Sequence, residues 1–587
     1  MTKPKIDAEV ISVFPDKVVV SVDEIRDFEA DGESLKIGSY LKISDNANAM
    51  LMASISHFSI AVDNSGEKKY IIEAVPLGVL RGDEFIRGGD NIALPPKKVE
   101  PAAAKDIESI YSSTLSEQER FDFSKLTTNS AVSVPVNGND FFNKHIAIIG
   151  STGSGKSHTV AAILQKATKG DGGPLNNSHV VIFDIHSEYK AAFPASNHID
   201  IDSLLLPYWL MNSEELESIL LDTGERDNYN QAAVFRMLVT NNKKRHNPQV
   251  NVFYDTPIYF DINEVLNALV NISKETVNSK NRTRAMIIGD EGILEQGKTN
   301  NESGEDWNEE EKIQRYFDKE YSFYPVKNSN VTKGVYADGS LEKFISRLKR
   351  KINDQRLSFL FSEDSKNLKL ENVLEQLLGY QDQSKSNVII LDLSGIPFEV
   401  LNITVSLISR TLFEYGYFYK KVRERRREAR TVGTDVPLLL VYEEAHRYVP
   451  NDNLTKYRSS RESIERIAKE GRKYGISIML SSQRPAEISE TIFSQCNNFI
   501  SMRLTNPTDQ QYVKRLLPDA MGSVLEQLPT LRAGEGILIG DSVILPSAVK
   551  IDFCEPAPSS NDIPFWDLWR EEWKDIDFVE LKKEWYK

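Results

Sequence analysis

Cysteine is nearly missing from this chain, with two in 587 residues, Cys496 and Cys554. That excludes a disulfide scaffold and a thiolate zinc cluster, and it suits a reducing compartment. Long apolar runs are missing as well: nothing approaches 18 uninterrupted apolar residues, so no stretch reads as a membrane-spanning helix. The start, MTKPKIDAEV, lacks the apolar core of a signal peptide, and a cytoplasmic protein without a membrane partner is expected. Positive charge is in deficit, 71 Lys and Arg against 86 Asp and Glu, for a formal net charge of −15. Such a balance argues against a surface coated with nucleic-acid contacts and still allows a local basic channel. The runs SRLKRKINDQR (346–356) and KKVRERRREAR (420–430) could line one, or could be solvated helix faces. Internal repeats are missing too.

What is present is ordinary globular composition, 40% hydrophobic and 27% charged, in a chain too long for one core. At about 150 residues per domain, three or four units are expected. Residues 1–100 read as short strands broken by turns, the pattern of a small β-barrel, and PPKKVEPAAAK (95–105) reads as a linker. From His145 the pattern changes to apolar runs separated by helical stretches: HIAIIG, HVVIFDIH, NVIILDLSG, PLLLVYEEAH and GISIMLSSQ, then NFISMRL, GEGILIG and SVILPSAVKIDF. Buried runs alternating with helices specify an α/β fold, a mostly parallel sheet covered on both faces. The core is assigned to 101–195 and 386–555. The interval 196–385 is too long for one crossover and holds SEELESILLD, INEVLNALVNI and LEKFISRLKRKI, so it reads as a helical insertion domain, with EQGKTNNESGEDWNEEEK as an exposed loop. The tail 556–587 carries four of the six tryptophans; Trp566, Trp569 and Trp573 share a face if it is one helix, packing either on its own domain or as a brace on a neighbour.

Directly behind HIAIIG comes GSTGSGKSHT, which satisfies Gly-x-x-x-x-Gly-Lys-[Ser/Thr] with a strand before it and a helix-compatible TVAAILQKA after it. Such a loop forms a nest of N–H groups around phosphate oxygens, so Gly150, Ser151, Thr152, Gly153, Ser154, Gly155, Lys156, Ser157 and His158 are the candidate ATP-binding residues. Lys156 is expected at the β- and γ-phosphates and Ser157 at Mg²⁺.

Hydrolysis needs a second, acidic site. LLLVYEEAH is an apolar strand ending in two carboxylates: Glu443 is assigned to the magnesium shell and Glu444 to the general base. FDIHSEY ends another run, placing Asp184 at the same edge as a further candidate for that shell, with His186 as scaffold. Gln483 closes GISIMLSSQ and would sense the γ-phosphate or hold the attacking water. Arg472 precedes that strand, at its far end, so it is assigned as an arginine supplied in trans to a neighbouring subunit, with Arg466 as the second candidate. An ordinary helix-terminal charge is the other reading of Arg472.

Taken together, the N-terminal barrel, GSTGSGKSHT, FDIHSEY, VYEEAHRYVP and EGRKYGISIMLSSQRP resemble the HerA-type hexameric ATPases, relatives of the FtsK motor proteins, over about residues 5–555. The resemblance implies a RecA-like P-loop core, a homohexamer with ATP at each interface, and double-stranded DNA moved through a central pore. It also implies a partner, either a NurA-like nuclease in DNA-end processing or a nuclease or sirtuin-like effector in antiphage defence. The alternative is a nucleotide-gated ring scaffold that regulates an effector with little translocation. The first acidic position, Glu443, departs from the usual Asp.

Overall fold

Val18, Val20 and Val22 face one core while Val19 and Ser21 face outward, the period-two alternation of a sheet with one covered face. The computed structural model describes residues 8–585 except 15, 24–28, 31–32, 45–48, 63–65, 67, 83, 89–97, 113–114, 170–174, 222–228, 289–304, 328, 382–384, 427–432, 452–457, 517–524 and 561–562. Its N-terminal unit is a seven-stranded antiparallel sheet in the order Ala8–Val13, Val18–Val22, Lys68–Arg81, Ala49–Val62, Tyr40–Ser44, Lys98–Pro101, with Glu84–Arg87 on Lys68–Arg81. The sheet curls until its two end strands come within 8 Å between Cα atoms, without pairing among the described residues, and so forms a half-barrel. The proline-rich stretch read as a linker is, from Lys98, the edge strand of this sheet; Pro101 is tolerated because an edge leaves one side of the backbone unpaired.

The central sheet has ten strands. Its main members are β1 (His145–Ile149), β2 (His179–Asp184), β3 (Val388–Asp392), β4 (Leu438–Tyr442), β5 (Ile476–Ser482), β6 (Cys496–Met502), β7 (Glu535–Gly540) and β8 (Ser547–Ile551). The order is Ser124–Leu126, β8, β7, β6, β1, β5, β4, β2, β3, Asn197–Ile199; the pairs from β6 through Asn197–Ile199 are parallel, and β7 and β8 close one side as an antiparallel hairpin. Every residue of HIAII is buried, as both faces are covered. Ala147, Ile149, Val181 and Phe183 point into one core, Ile146, Ile148, Val180 and Ile182 into the other. The phosphate loop and three strand ends consequently line up on the carboxyl edge of β1, β5, β4 and β2.

Two helices flank that edge: α1 (Lys156–Thr168) follows the loop, and α2 (Phe398–Arg426) crosses between β3 and β4. The insertion holds the helices Ser213–Leu220, Ile262–Lys274 and Glu342–Ile352 where the sequence places helical segments, and a four-stranded sheet of two- and three-residue strands that the sequence does not signal. It is tied to the core by Arg410 of α2, whose guanidinium donates to the wholly buried Glu215 at 2.8 Å. Of the stretch read as an exposed loop, residues up to 304 lie outside the described ones.

The basic run at 346–356 is largely engaged: Lys349 pairs with Glu320, Arg356 with Asp354, and Lys351 donates to the Ile219 carbonyl. The second run ends α2, and its residues 427–430 lie outside the described ones. The tail forms two short helices, Phe565–Trp569 and Phe578–Trp585, instead of one. Asp577 accepts from the N–H groups of Val579 and Glu580, which starts a second helix and leaves Trp573 between the two. No helix of the described residues is long and apolar enough to cross a membrane.

Candidate active site

After Ile149 the chain must turn from β1 into α1 within six residues, and glycine makes the turn possible. A Cβ on Gly150 would sit 2.5 Å from the Ser154 Oγ, and Gly155, the N-cap of α1, has φ +101°. The loop is held at several points. The Gly150 N–H donates to the Ser482 carbonyl (3.2 Å), the Ser151 N–H to the Arg503 carbonyl (2.8 Å), and the Gly534 N–H to the Ser154 carbonyl (2.9 Å). Ser154 is buried and its hydroxyl has no hydrogen-bond partner.

Across from the loop the acidic residues converge. Gln483 bridges the two sides: the Thr152 hydroxyl donates to its Oε1 at 2.5 Å, and its Nε2 donates to Glu444 Oε1 at 2.6 Å. Glu444 is buried and carries a left-handed backbone, φ +47°, which a side chain adopts only where its surroundings enforce it. His446 Nδ1 lies 3.2 Å from Glu444 Oε2 and 3.1 Å from the Ser482 hydroxyl. Glu443 accepts from the Ile185 N–H at 3.2 Å. Asp184 is held by the backbone that follows it, accepting from the N–H groups of His186, Glu188 and Tyr189 at 3.0–3.2 Å. Those bonds shape the FDIHSEY turn, in which Ser187 has the other left-handed non-glycine backbone among the described residues, φ +56°.

The electrostatics are set by burial and by carboxylates crowded together. Burial, then the neighbouring charge of Asp184, hold the Glu443 carboxyl well above the usual carboxylate range. Burial pulls the Lys156 ammonium down, opposed by Glu444, Glu188 and Glu443 facing it. Among the described residues no three carboxylates, imidazoles or thiols converge closely enough to hold a metal unaided. The donor set fits Mg²⁺ held jointly by Ser157, the crowded Glu443 and the oxygens of a nucleotide, all hard ligands. Bound there, Mg²⁺ would neutralise charge on the phosphates.

The other named residues lie elsewhere. His158, in the first turn of α1, turns its ring to the end of β8: Nε2 accepts from the Cys554 N–H at 3.3 Å and Nδ1 lies 3.1 Å from its Sγ. Arg472 lies at the amino edge of β5, donating at 3.4 Å to Asn497 and not reaching its own loop. Arg466 stacks on Phe413 of α2 at 4.5 Å. Two residues at the site were not singled out from the sequence. Arg503, directly behind β6, places Nη2 3.5 Å from the Gly153 carbonyl and has a buried Nε without a partner. Tyr189, wholly buried, turns its hydroxyl toward Ser157. The strand-end rule that finds Gln483 also finds Arg503 when applied to NFISMRL.

A Gly-rich loop between a parallel strand and a helix, faced by two carboxylates and a glutamine on adjacent strand ends, defines a P-loop ATPase of RecA-like architecture. Residues 121–412 match the family model described as the helicase HerA central domain, and that part of the chain is of the HerA type. The chain is 26% identical over 491 residues, 81% of this chain and 77% of the relative, to the DNA double-strand break repair helicase HerA of Saccharolobus solfataricus. The probable helicase MJECL08 of Methanocaldococcus jannaschii is 27% identical over 430 residues, 73% of this chain and 69% of that protein. Among solved structures, the bacterial conjugative coupling protein TrwB aligns with a TM-score of 0.41 at 11% identity, covering 78% of this chain and 94% of that one.

Proposed function

We propose that this chain is an ATP-hydrolysing DNA translocase that works as a homohexamer. The observation that carries the reading is the Thr152–Gln483–Glu444 chain of hydrogen bonds, which couples the phosphate loop to a buried carboxylate positioned as general base. In this scheme the loop amides and Lys156 hold the phosphates, Glu444 takes the proton of the attacking water, and Gln483 reports the γ-phosphate to it. Arg472, away from its own loop, serves the site of the next subunit. The tail supports a multi-subunit assembly: Trp566, Trp569, Trp573 and Trp585 are each at least 70% exposed, a larger apolar display than solitary soluble chains leave open. It leaves the body beside the active site, where the Ser559 N–H donates to the Glu188 carbonyl, so a brace reaching a neighbour would start at the nucleotide.

The cellular task in this reading is DNA-end processing or antiphage defence in the cytoplasm, with a nuclease or sirtuin-like effector as partner. The same exposed tail favours a second reading, a nucleotide-gated ring that assembles such an effector with little movement on DNA. ATP turnover of the purified protein with and without linear duplex DNA, at low and moderate salt and with the particle mass recorded, separates the two. The motor gives a hexamer-sized particle whose turnover rises with DNA and loses that rise steeply with salt, because contacts to phosphate release counterions. Turnover indifferent to DNA rejects the motor in favour of the ring.

A further inference from the structure

Phe553 is 80% exposed, yet the chain around it is among the best anchored at the carboxyl edge. The Ile551 N–H donates to the Gly534 carbonyl and the Asp552 N–H to the Phe123 carbonyl, both at 2.9 Å, and the Cys554 N–H donates to His158 at 3.3 Å. Asp552 also takes an ion pair from Lys166 of α1. The Phe553 ring lies against the His158 ring, centroids 5.1 Å apart and tilted by 54°. An apolar ring on a pinned backbone, open to water on one face, is a rigid platform.

Its place says what it would carry. His158 is two residues beyond Lys156, in the first turn of α1. A nucleotide whose terminal phosphates meet Lys156 has its α-phosphate at the loop amides, so its sugar and base continue outward past that first turn. We propose that Phe553 is the stacking platform for the base of a bound purine nucleoside triphosphate, with His158 as the residue that sets the ring's position. Stacking on an aromatic face does not read the base edges, so the platform would take adenine and guanine alike. The proposal rests on the nucleotide reading of the phosphate loop, and the test keeps the two apart.

The test is equilibrium binding of a non-hydrolysable ATP analogue and, separately, of inorganic tripolyphosphate, which has no base. The proteins are the full-length wild type, Phe553→Ala, Phe553→Tyr and Lys156→Ala, each with its particle mass measured. Phe553→Ala is expected to weaken the analogue about tenfold and leave tripolyphosphate unchanged, while Phe553→Tyr stays near wild type. The ring is exposed, so its removal leaves the packed core intact. Analogue affinity equal to the wild type in Phe553→Ala overturns the proposal, as does an equal loss for both ligands, which would place the effect on the phosphate loop. A change in particle mass with unchanged affinity overturns it in favour of a subunit contact. If the wild type and Lys156→Ala bind the analogue alike, the nucleotide reading itself falls and the platform with it.

Discussion

The two edges of the central sheet begin from the same apolar strands and are finished in opposite ways. At the carboxyl edge, charged and polar groups are buried and left incomplete. The Ser154 hydroxyl, Glu188 Oε2 and Arg503 Nε have no hydrogen-bond partner, and both left-handed non-glycine residues of the described chain, Ser187 and Glu444, stand there. At the amino edge, neutral side chains mostly close their bonds locally, with His179 Nδ1 and the Ser477 hydroxyl as exceptions. His145 uses both ring nitrogens, on the Ala468 carbonyl and the Ile478 N–H, and the Asn387 amide donates to the Asn176 and Ser178 carbonyls. Unpaired buried polar atoms and strained backbone both cost stability, so charged groups left unpaired beside strained backbone set the carboxyl edge apart. The other edge is scaffold, and Arg472 is the residue there whose proposed role crosses to a neighbour.

The sharpest way to break this comparison is to remove charge from the incomplete edge without changing shape. Glu444→Gln keeps an oxygen to accept from Gln483, so nucleotide binding should persist while turnover falls about 10³- to 10⁴-fold. Retained turnover would move the base elsewhere and leave the strain at Glu444 without a catalytic reason.

How much of this was legible follows from where each residue stands. Lys156, Ser157, Glu443, Glu444 and Gln483 lie within eight residues of the ends of apolar runs, and a parallel sheet brings such ends to one edge, so the sequence alone implies their convergence. Arg503 occupies the same kind of position but merges into its own strand pattern. The small sheet of the insertion escaped because strands such as Thr276–Asn278 and Arg284–Ala285 are too short to show a period. The hydrogen bonds that commit Asp184 to backbone amides escaped because a carboxylate at a strand end reads equally as a ligand or as a turn-former. The tail's break at Asp577 was a local capping signal hidden under a longer tryptophan spacing.

The amino edge offers the next test, through Arg472. Its one hydrogen bond is long and the residue is partly exposed, so Arg472→Ala should alter folding stability by no more than about 0.5 kcal/mol. If the arginine completes a neighbour's site, turnover should nonetheless fall about 10³-fold. Mixing Arg472→Ala with Glu444→Gln subunits should then recover part of the activity, since one type of interface regains both groups. Rings that form and recover nothing in any mixture would return Arg472 to the scaffold.

The smallest expected effect concerns a residue of the amino edge whose bonds are closed, His145. His145 is wholly buried, and burial lowers its imidazolium to about 4 from an ordinary 6.5, with the Arg472 charge adding to the shift. A histidine lowered in the folded state binds its proton more readily once unfolded, so stability falls with pH between about 6.5 and about 4. The shift corresponds to about 3 kcal/mol over that whole window, roughly 2 of it gone by pH 5. Other groups titrate there too, so the informative quantity is the difference between the wild type and His145→Gln, which cannot take up the proton. The variant should be less stable at pH 7, because two buried bonds are disturbed, and the gap should narrow steadily toward pH 5 in denaturant unfolding followed at both values. Parallel curves would mean that His145 stays neutral or charged alike in both states. The amino edge would then contribute packing without any dependence on protonation.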